Sequence, residues 1–257
     1  MTDDGDRFEA RFVTQTASYV DEVEACVSEL PTLIERYGAD DGFRDVADRI
    51  CNLESSCDRA NRRITTAISN AGGRELGIRL TRLHLNSGAT IELYQIVDEI
   101  ANHAEQFAEE LVAIGPSRSD ACLRLLEEMA ECAVTAMSFL RRVITTYVEM
   151  LCDPTRSGQI SDEITQIRAV ESDCDRVRNE VIALAFNHES IPQPLVYREL
   201  ALLLDAVVDA IEDVTDQLVL TTGNQSWLDL SSAEGGEPDS EAGDDWAAPS
   251  DGPGAAE

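Results

Sequence analysis

Two stretches of the chain share an order of residue types that can do chemistry. Leu53-Glu54-Ser55-Ser56-Cys57-Asp58-Arg59 and Val170-Glu171-Ser172-Asp173-Cys174-Asp175-Arg176 both read apolar, Glu, Ser, any, Cys, Asp, Arg. A second pattern, Asp-x-x-x-Asn/Asp-x-x-Glu, occurs as Asp98, Asn102, Glu105 and again as Asp205, Asp209, Glu212. Carboxylates four apart on a helix stand roughly 5–6 Å from each other and repel mildly. A cation between them turns that repulsion into affinity. Where a Glu-x-x-x-Asp helix faces an Asp-x-x-x-Asp helix, four carboxylates converge. Such an oxygen-rich set suits Mg²⁺, Mn²⁺, Fe or Zn²⁺. The competing reading is a solvated acidic surface. At about 100° per residue the acids fall at the edge of, or opposite, the apolar stripes, so surface or boundary positions are expected.

The remaining reactive side chains form no catalytic set. There is no P-loop, no Gly-x-Gly-x-x-Gly and no Gly-x-Ser-x-Gly, and the three histidines form no dyad. No enzymatic activity, and so no catalytic residue, is expected. His103 falls on an apolar face with Ile96, Ile100 and Phe107, as a packed histidine would. Cys57 and Cys174 recur inside the repeated stretch, at angles that place them in the apolar stripe. The seven cysteines lie at helical spacing without Cys-x-x-Cys pairs, which reads as reduced, buried small hydrophobes. Arg62-Arg63 and Arg141-Arg142 are the densest basic spots. Either offers a phosphate contact, although ion pairing with the abundant acids is the first expectation. With so little positive charge, tight binding of free phosphate is not expected.

Charge narrows the partners. The 257 residues include 50 acids and 20 basic residues, all arginine, for a net charge of −30. A nucleic acid requires clustered Lys/Arg, and no basic stripe is present. An anionic membrane surface would repel the chain. Acidity without lysine reads as adaptation to very high salt, where the Debye length falls to roughly 3 Å and self-repulsion is screened. No apolar run is long enough to span a membrane, and the acidic N-terminus is unlike a signal peptide. A cytoplasmic protein without direct membrane insertion is expected.

The elements that must position these acids are helical. Apolar periodicity predicts six helices: about Arg7–Tyr37, bent before Pro31; Ala39–Asn70; Ser87–Ile114; one capped by Ser119-Asp120 and running to Cys152; about Gln159–Asn187; and one from the Ile191–Pro194 turn to Thr222. The segment between Ala71 and Asn86 reads as a connector. No strong strand signal is found, so the fold class is all-α. Residues 224–257 hold nine acids, no base and little apolar content, and read as a disordered acidic tail. The two acidic patterns recur in the same order, offset by 117 and 107 residues, which indicates duplication of a three-helix unit. A helical domain over 8–222 follows, with repeats at about 8–115 and 117–222, as two three-helix bundles or one elongated double bundle.

Six helices in two such repeats, each pairing a Glu-x-x-x-Asp helix with an Asp-x-x-x-Asp helix, resemble the PhoU family. More narrowly, they resemble the PhoU-like proteins paired with inorganic phosphate transporters of the Pit type. The resemblance covers about residues 8–222. It implies a cytoplasmic, non-enzymatic regulator or accessory protein of phosphate transport and phosphate signalling, often oligomeric. Such a protein docks on a Pit-type transporter or a phosphate-signalling partner and so lies peripherally at the membrane. In some relatives the acidic motifs hold iron or zinc clusters. Carried over, the metal ligands are Glu54, Asp58, Asp98 and Asn102 in site one, and Glu171, Asp175, Asp205 and Asp209 in site two. Asn102 departs from the acidic pattern and supplies no charge, so site one is expected to be the weaker. The alternatives are a metal-binding bundle or a structural scaffold unrelated to phosphate.

Overall fold

Long amphipathic stretches bury one stripe each, and the structure follows that pattern. The computed structural model describes residues 3–71, 80–116, 118–153, 155–189, 191–222 and 228–229. Seven helices occur among them: α1 (Asp3–Ala39), α2 (Phe43–Asn70), α3 (Thr81–Leu85), α4 (Ser87–Ile114), α5 (Asp120–Cys152), α6 (Ser161–Asn187) and α7 (Pro194–Thr222). The six long ones are those the periodicity predicts; α3 lies in the segment read as a connector. No described helix is long and apolar enough to cross a membrane.

The all-α architecture is built from two triplets with the same packing order. α1 packs on α2 and α2 on α4; likewise α5 packs on α6 and α6 on α7. The triplets join where α1 lies on α5 and α4 on α7, each helix meeting its counterpart. One apolar core runs through both, with Tyr19, Leu30, Ile50, Phe107, Tyr147, Tyr197 and Leu204 all within it. The outcome is therefore a single double bundle. Burying a large side chain in such a core contributes roughly 1.5–3 kcal/mol.

Three details at helix starts differ from expectation, while α1 is the single helix expected. α1 continues as a helix through Pro31. Leu30, Leu33 and Ile34 are fully buried around the proline, and their packing offsets the backbone hydrogen bond that it removes. α2 begins at Phe43 and not at Ala39, because Asp40 and Gly42 take φ 57° and 64° to reverse the chain. Asp carries strain there; Gly does not. Ser119 places no side-chain cap on α5. Its backbone N–H donates instead to the Tyr197 hydroxyl at 3.0 Å, a tie between α5 and α7. α6 begins at Ser161, since Gly158–Gln159 pair in parallel with Leu228–Asp229 as a two-residue ladder. A Cβ on Gly158 would meet Met150 Sδ at 2.7 Å and Thr146 Cγ2 at 2.8 Å, so a larger residue there requires those side chains to shift. The acidic tail predicted for 224–257 lies outside the described residues apart from Leu228–Asp229.

Both ends of the bundle are tied across the triplets. At one end Arg118 donates to the Tyr37 carbonyl at 2.7 Å and pairs with Asp40. At the other, Arg82 on α3 donates to the carbonyls of Met150, Asp153 and Arg156 at 2.8–3.1 Å. A cation on the last carbonyls of α5 also complements that helix's dipole.

Candidate functional site: two carboxylate seams

The repeated acids line two seams, one where α2 meets α4 and one where α6 meets α7. In the first, Glu54, Asp58, Asp98 and Asn102 are all half-buried. Tyr19 on α1 donates its hydroxyl to Asp98 Oδ1 at 3.1 Å, and Asn61 also hydrogen-bonds this carboxylate. Burial raises the Asp98 pKa, while those two donors oppose the shift. Glu54 is raised by burial and then by the nearby charges of Glu105 and Asp98. Asp58 pairs with Arg62 one turn on, Nε to Oδ1 at 3.1 Å. Glu54 and Asp98 therefore feel each other across the seam, whereas Asp58 is turned to an arginine of its own helix.

In the second seam Glu171 and Asp175 on α6 are half-buried, and Asp209 on α7 is exposed. Asp205 is only 5% exposed, contrary to the surface or boundary position expected for it. α7 packs on α4, α5 and α6 together, so its buried face is wider than a single apolar stripe. Arg178 compensates the buried charge. Its Nη1 pairs with Asp205 and lies 2.6 Å from Asp175 Oδ1, bridging α6 to α7. Burial, followed by Asp205, Glu171 and Asp175, pushes Asp209 up to about 6. Burial, followed by Glu171 and Asp216, pushes Glu212 up to about 7.

The two seams carry an arginine one register position apart: Asn61-Arg62 in the first aligns with Arg178-Asn179 in the second, and Asn102 aligns with Asp209. Seven residues after Glu171 stands Arg178; seven after Glu54 stands Asn61. Asn61 is 7% exposed and its Oδ1 has no hydrogen-bond partner. Arg178 bridges the second seam, whereas in the first Arg62 pairs with Asp58 and also acts on Glu54 and Asp98. The first presents a buried amide oxygen without a partner next to Asp98, whose carboxylate the same amide contacts; among the described residues Glu54, Asp58 and Asp98 do not gather within 4.8 Å as a ligand set.

One further group escaped sequence reasoning. Cys51 on α2 and Glu105 and Glu109 on α4 place a thiol and two carboxylate oxygens within 4.8 Å of one another. Glu105 and Glu109 belong to the acidic stripe of α4, but Cys51 reads as a small hydrophobe in isolation. It lies three residues before Glu54, next along the same seam. Burial and these glutamates push its thiol up to about 11, so the neutral thiol prevails unless a cation draws the proton off. Cys57 and Cys174 are fully buried, as their stripe positions predict, and all seven cysteines are unbridged. His103 is half-buried, and His84 and His188 are exposed. Arg141 pairs with Asp21 and Glu24, and Arg142 reaches Glu163, so the Arg141-Arg142 spot is spent on ion pairs.

Solved structures share this fold. A PhoU-like phosphate regulatory protein from Shewanella oneidensis MR-1 superposes with a TM-score of 0.67 at 16% identity, covering 83% of this chain and 99% of its own. The phosphate transport system regulatory protein PhoU from Streptococcus pneumoniae superposes with a TM-score of 0.61 at 12% identity, covering 87% and 100%. The fold is PhoU-like. No protein-family model and no curated protein sequence matches the chain, so the likeness is one of structure. The PhoU-like fold accounts for nearly the whole length of those neighbours.

Proposed function

We propose that this chain is a non-enzymatic regulator of inorganic phosphate transport. It works in the cytoplasm by docking helical faces on a membrane phosphate transporter of the Pit type or on a phosphate-signalling protein. The observation that carries this reading is the PhoU-like fold matched over 99% and 100% of two phosphate-regulatory neighbours. The paired carboxylate seams add to it. A chain of net charge −30 whose only basic residues are arginines suits docking in concentrated salt, where short-range packing outweighs long-range charge.

Of the two seams, the first is the one proposed to hold a divalent or iron-type cation, through Glu54, Asp98 and the Asn61 oxygen. Bound there, the ion neutralises carboxylates that otherwise repel. In the second seam Arg178 already performs that task. The same body would also serve as a metal-binding protein independent of phosphate, a second reading favoured by the Cys51, Glu105 and Glu109 group.

Deletion of the gene tests the main reading. Altered phosphate uptake together with altered phosphate-starvation transcripts is expected. Unchanged uptake and unchanged transcripts refute it.

A further inference from the structure

In a chain with 50 acids, one groove has none on its walls. It lies between α1 and α2, has a volume of about 420 Å³, and is lined by Arg11, Gln15, Arg62, Arg63, Thr66 and Asn70 among others, all but donor-bearing or apolar side chains being absent. Arginines elsewhere are largely spent on carboxylates: Arg36 on Asp41, Arg49 on Glu29, Arg118 on Asp40, Arg156 on Glu149, Arg168 on Asp216. Arg62 is likewise held by Asp58. Among the described residues, neither Arg11 nor Arg63 forms an ion pair; Arg11 lies over the Phe8 ring at 5.5 Å. The Asp58 carboxylate touches the groove's edge through Arg62, and Glu22 shares an adjoining hollow with Arg63 and Gln15.

We propose that this groove binds a small anion carrying phosphoryl groups. Arg11 and Arg63 supply the charge, and Gln15, Thr66 and Asn70 supply neutral donors. Guanidinium forks match the oxygens of a phosphoryl group in pairs, which a spherical anion such as chloride cannot exploit. The neutral donors reward a ligand with many acceptor oxygens. The volume falls in the usual range for small-molecule sites, roughly 300–1,000 Å³. A single orthophosphate ion fills little of it, so a ligand with two or more phosphoryl groups is better served, in keeping with the weak binding of free phosphate expected from composition. In concentrated salt the distant acids are screened beyond roughly 3 Å, and these local donors decide what binds. The inference rests on the groove alone and not on the transport reading, so either can fail without the other.

Equilibrium dialysis of the full chain in concentrated potassium chloride, with pyrophosphate and with orthophosphate as separate probes, tests it. Saturable binding of one pyrophosphate per chain is expected, with orthophosphate weaker; the reverse preference would support the groove and identify free phosphate as the source. Arg11→Gln with Arg63→Gln weakens binding by about tenfold or more. Thr66→Ala with Asn70→Ala weakens it less, and Arg44→Gln, at the far end of α2, leaves it unchanged. All the substituted side chains are exposed, and circular dichroism confirms that each variant is folded. No saturable binding of either probe, binding that survives the double arginine change, or displacement by equimolar acetate overturns the proposal.

Discussion

Arg178 on α6 pairs with the buried carboxylate of Asp205 on α7 and, in the same stroke, with Asp175 on its own helix. The matching position in the first triplet is Asn61, whose Oδ1 has no partner. In the second triplet the arginine bridges two helices, whereas in the first the arginine one position on, Arg62, pairs with Asp58 of its own helix. Ion pairs of this kind do not promise large net stability, but removing one partner is costly, because the other charge stays buried.

Arg178→Met is accordingly expected to destabilise the protein by about 2–4 kcal/mol, the lower part of the range for a broken buried pair, since Arg178 is 21% exposed. Adding Asp205→Asn removes the stranded charge and recovers most of the loss. Thermal or denaturant unfolding of the two variants at fixed salt checks both values. Equal stability of the single and double variants would contradict the pairing.

Acidification is expected to stabilise the chain. Glu212 is raised from 4.5 to about 7 and Asp209 from 3.8 to about 6 in the folded state. A carboxyl with a raised folded pKa binds more protons folded than unfolded, so its contribution is present at low pH and is lost as pH rises through the folded value. Stability should therefore fall from about pH 4, where the unfolded carboxyls ionise, to about pH 7 and then level off. Glu212→Gln should flatten much of that slope. Denaturant midpoints across the pH range, measured in chelator, give the slope directly.

Metal content should follow the first seam. Protein purified without chelator is expected to carry a divalent or iron-type ion that is lost on Glu54→Ala with Asp98→Ala. Glu171→Ala with Asp175→Ala should leave that ion in place. Elemental analysis of the three proteins distinguishes this order from the reverse, which would follow if Asn102 alone set the strength of the sites.

Desalting should unfold the body. Among 50 acids opposed by 20 arginines, repulsion grows as the Debye length lengthens from roughly 3 Å at 1 M to roughly 30 Å at 0.01 M. Loss of the far-ultraviolet helical signal on dialysis into low salt, regained on returning the salt, is expected. Full helicity retained at low salt would show that packing alone carries the fold.

The helices were legible because their stripes are long and their stops chemically plain. Ile114 before Gly115-Pro116 ends α4, and Gly115 indeed takes φ 54° there. The triplet order was legible in the doubled Cys-Asp-Arg stretches. The short α3 and the Gly158–Gln159 ladder were not, since five residues and two residues carry no period. Cys51 gave no signal by itself, because a thiol at the edge of a stripe acquires meaning only from Glu105 and Glu109 on another helix.

Residue order alone determined which faces of α1, α2 and α4 through α7 are apolar, and hence that the chain is a helical bundle with acids gathered at set intervals. That information is local: periodicity, breakers and charge act within a few turns. Only the tertiary structure decided that Asp205 is buried, that Arg178 reaches it from α6, and that Asn61 keeps a bare oxygen in the equivalent place. Those outcomes depend on how many neighbours a helix meets, and α7 meets three. Burial sets the strength of every charge in the seams, so the packing of whole helices determined how two similar motifs came to differ.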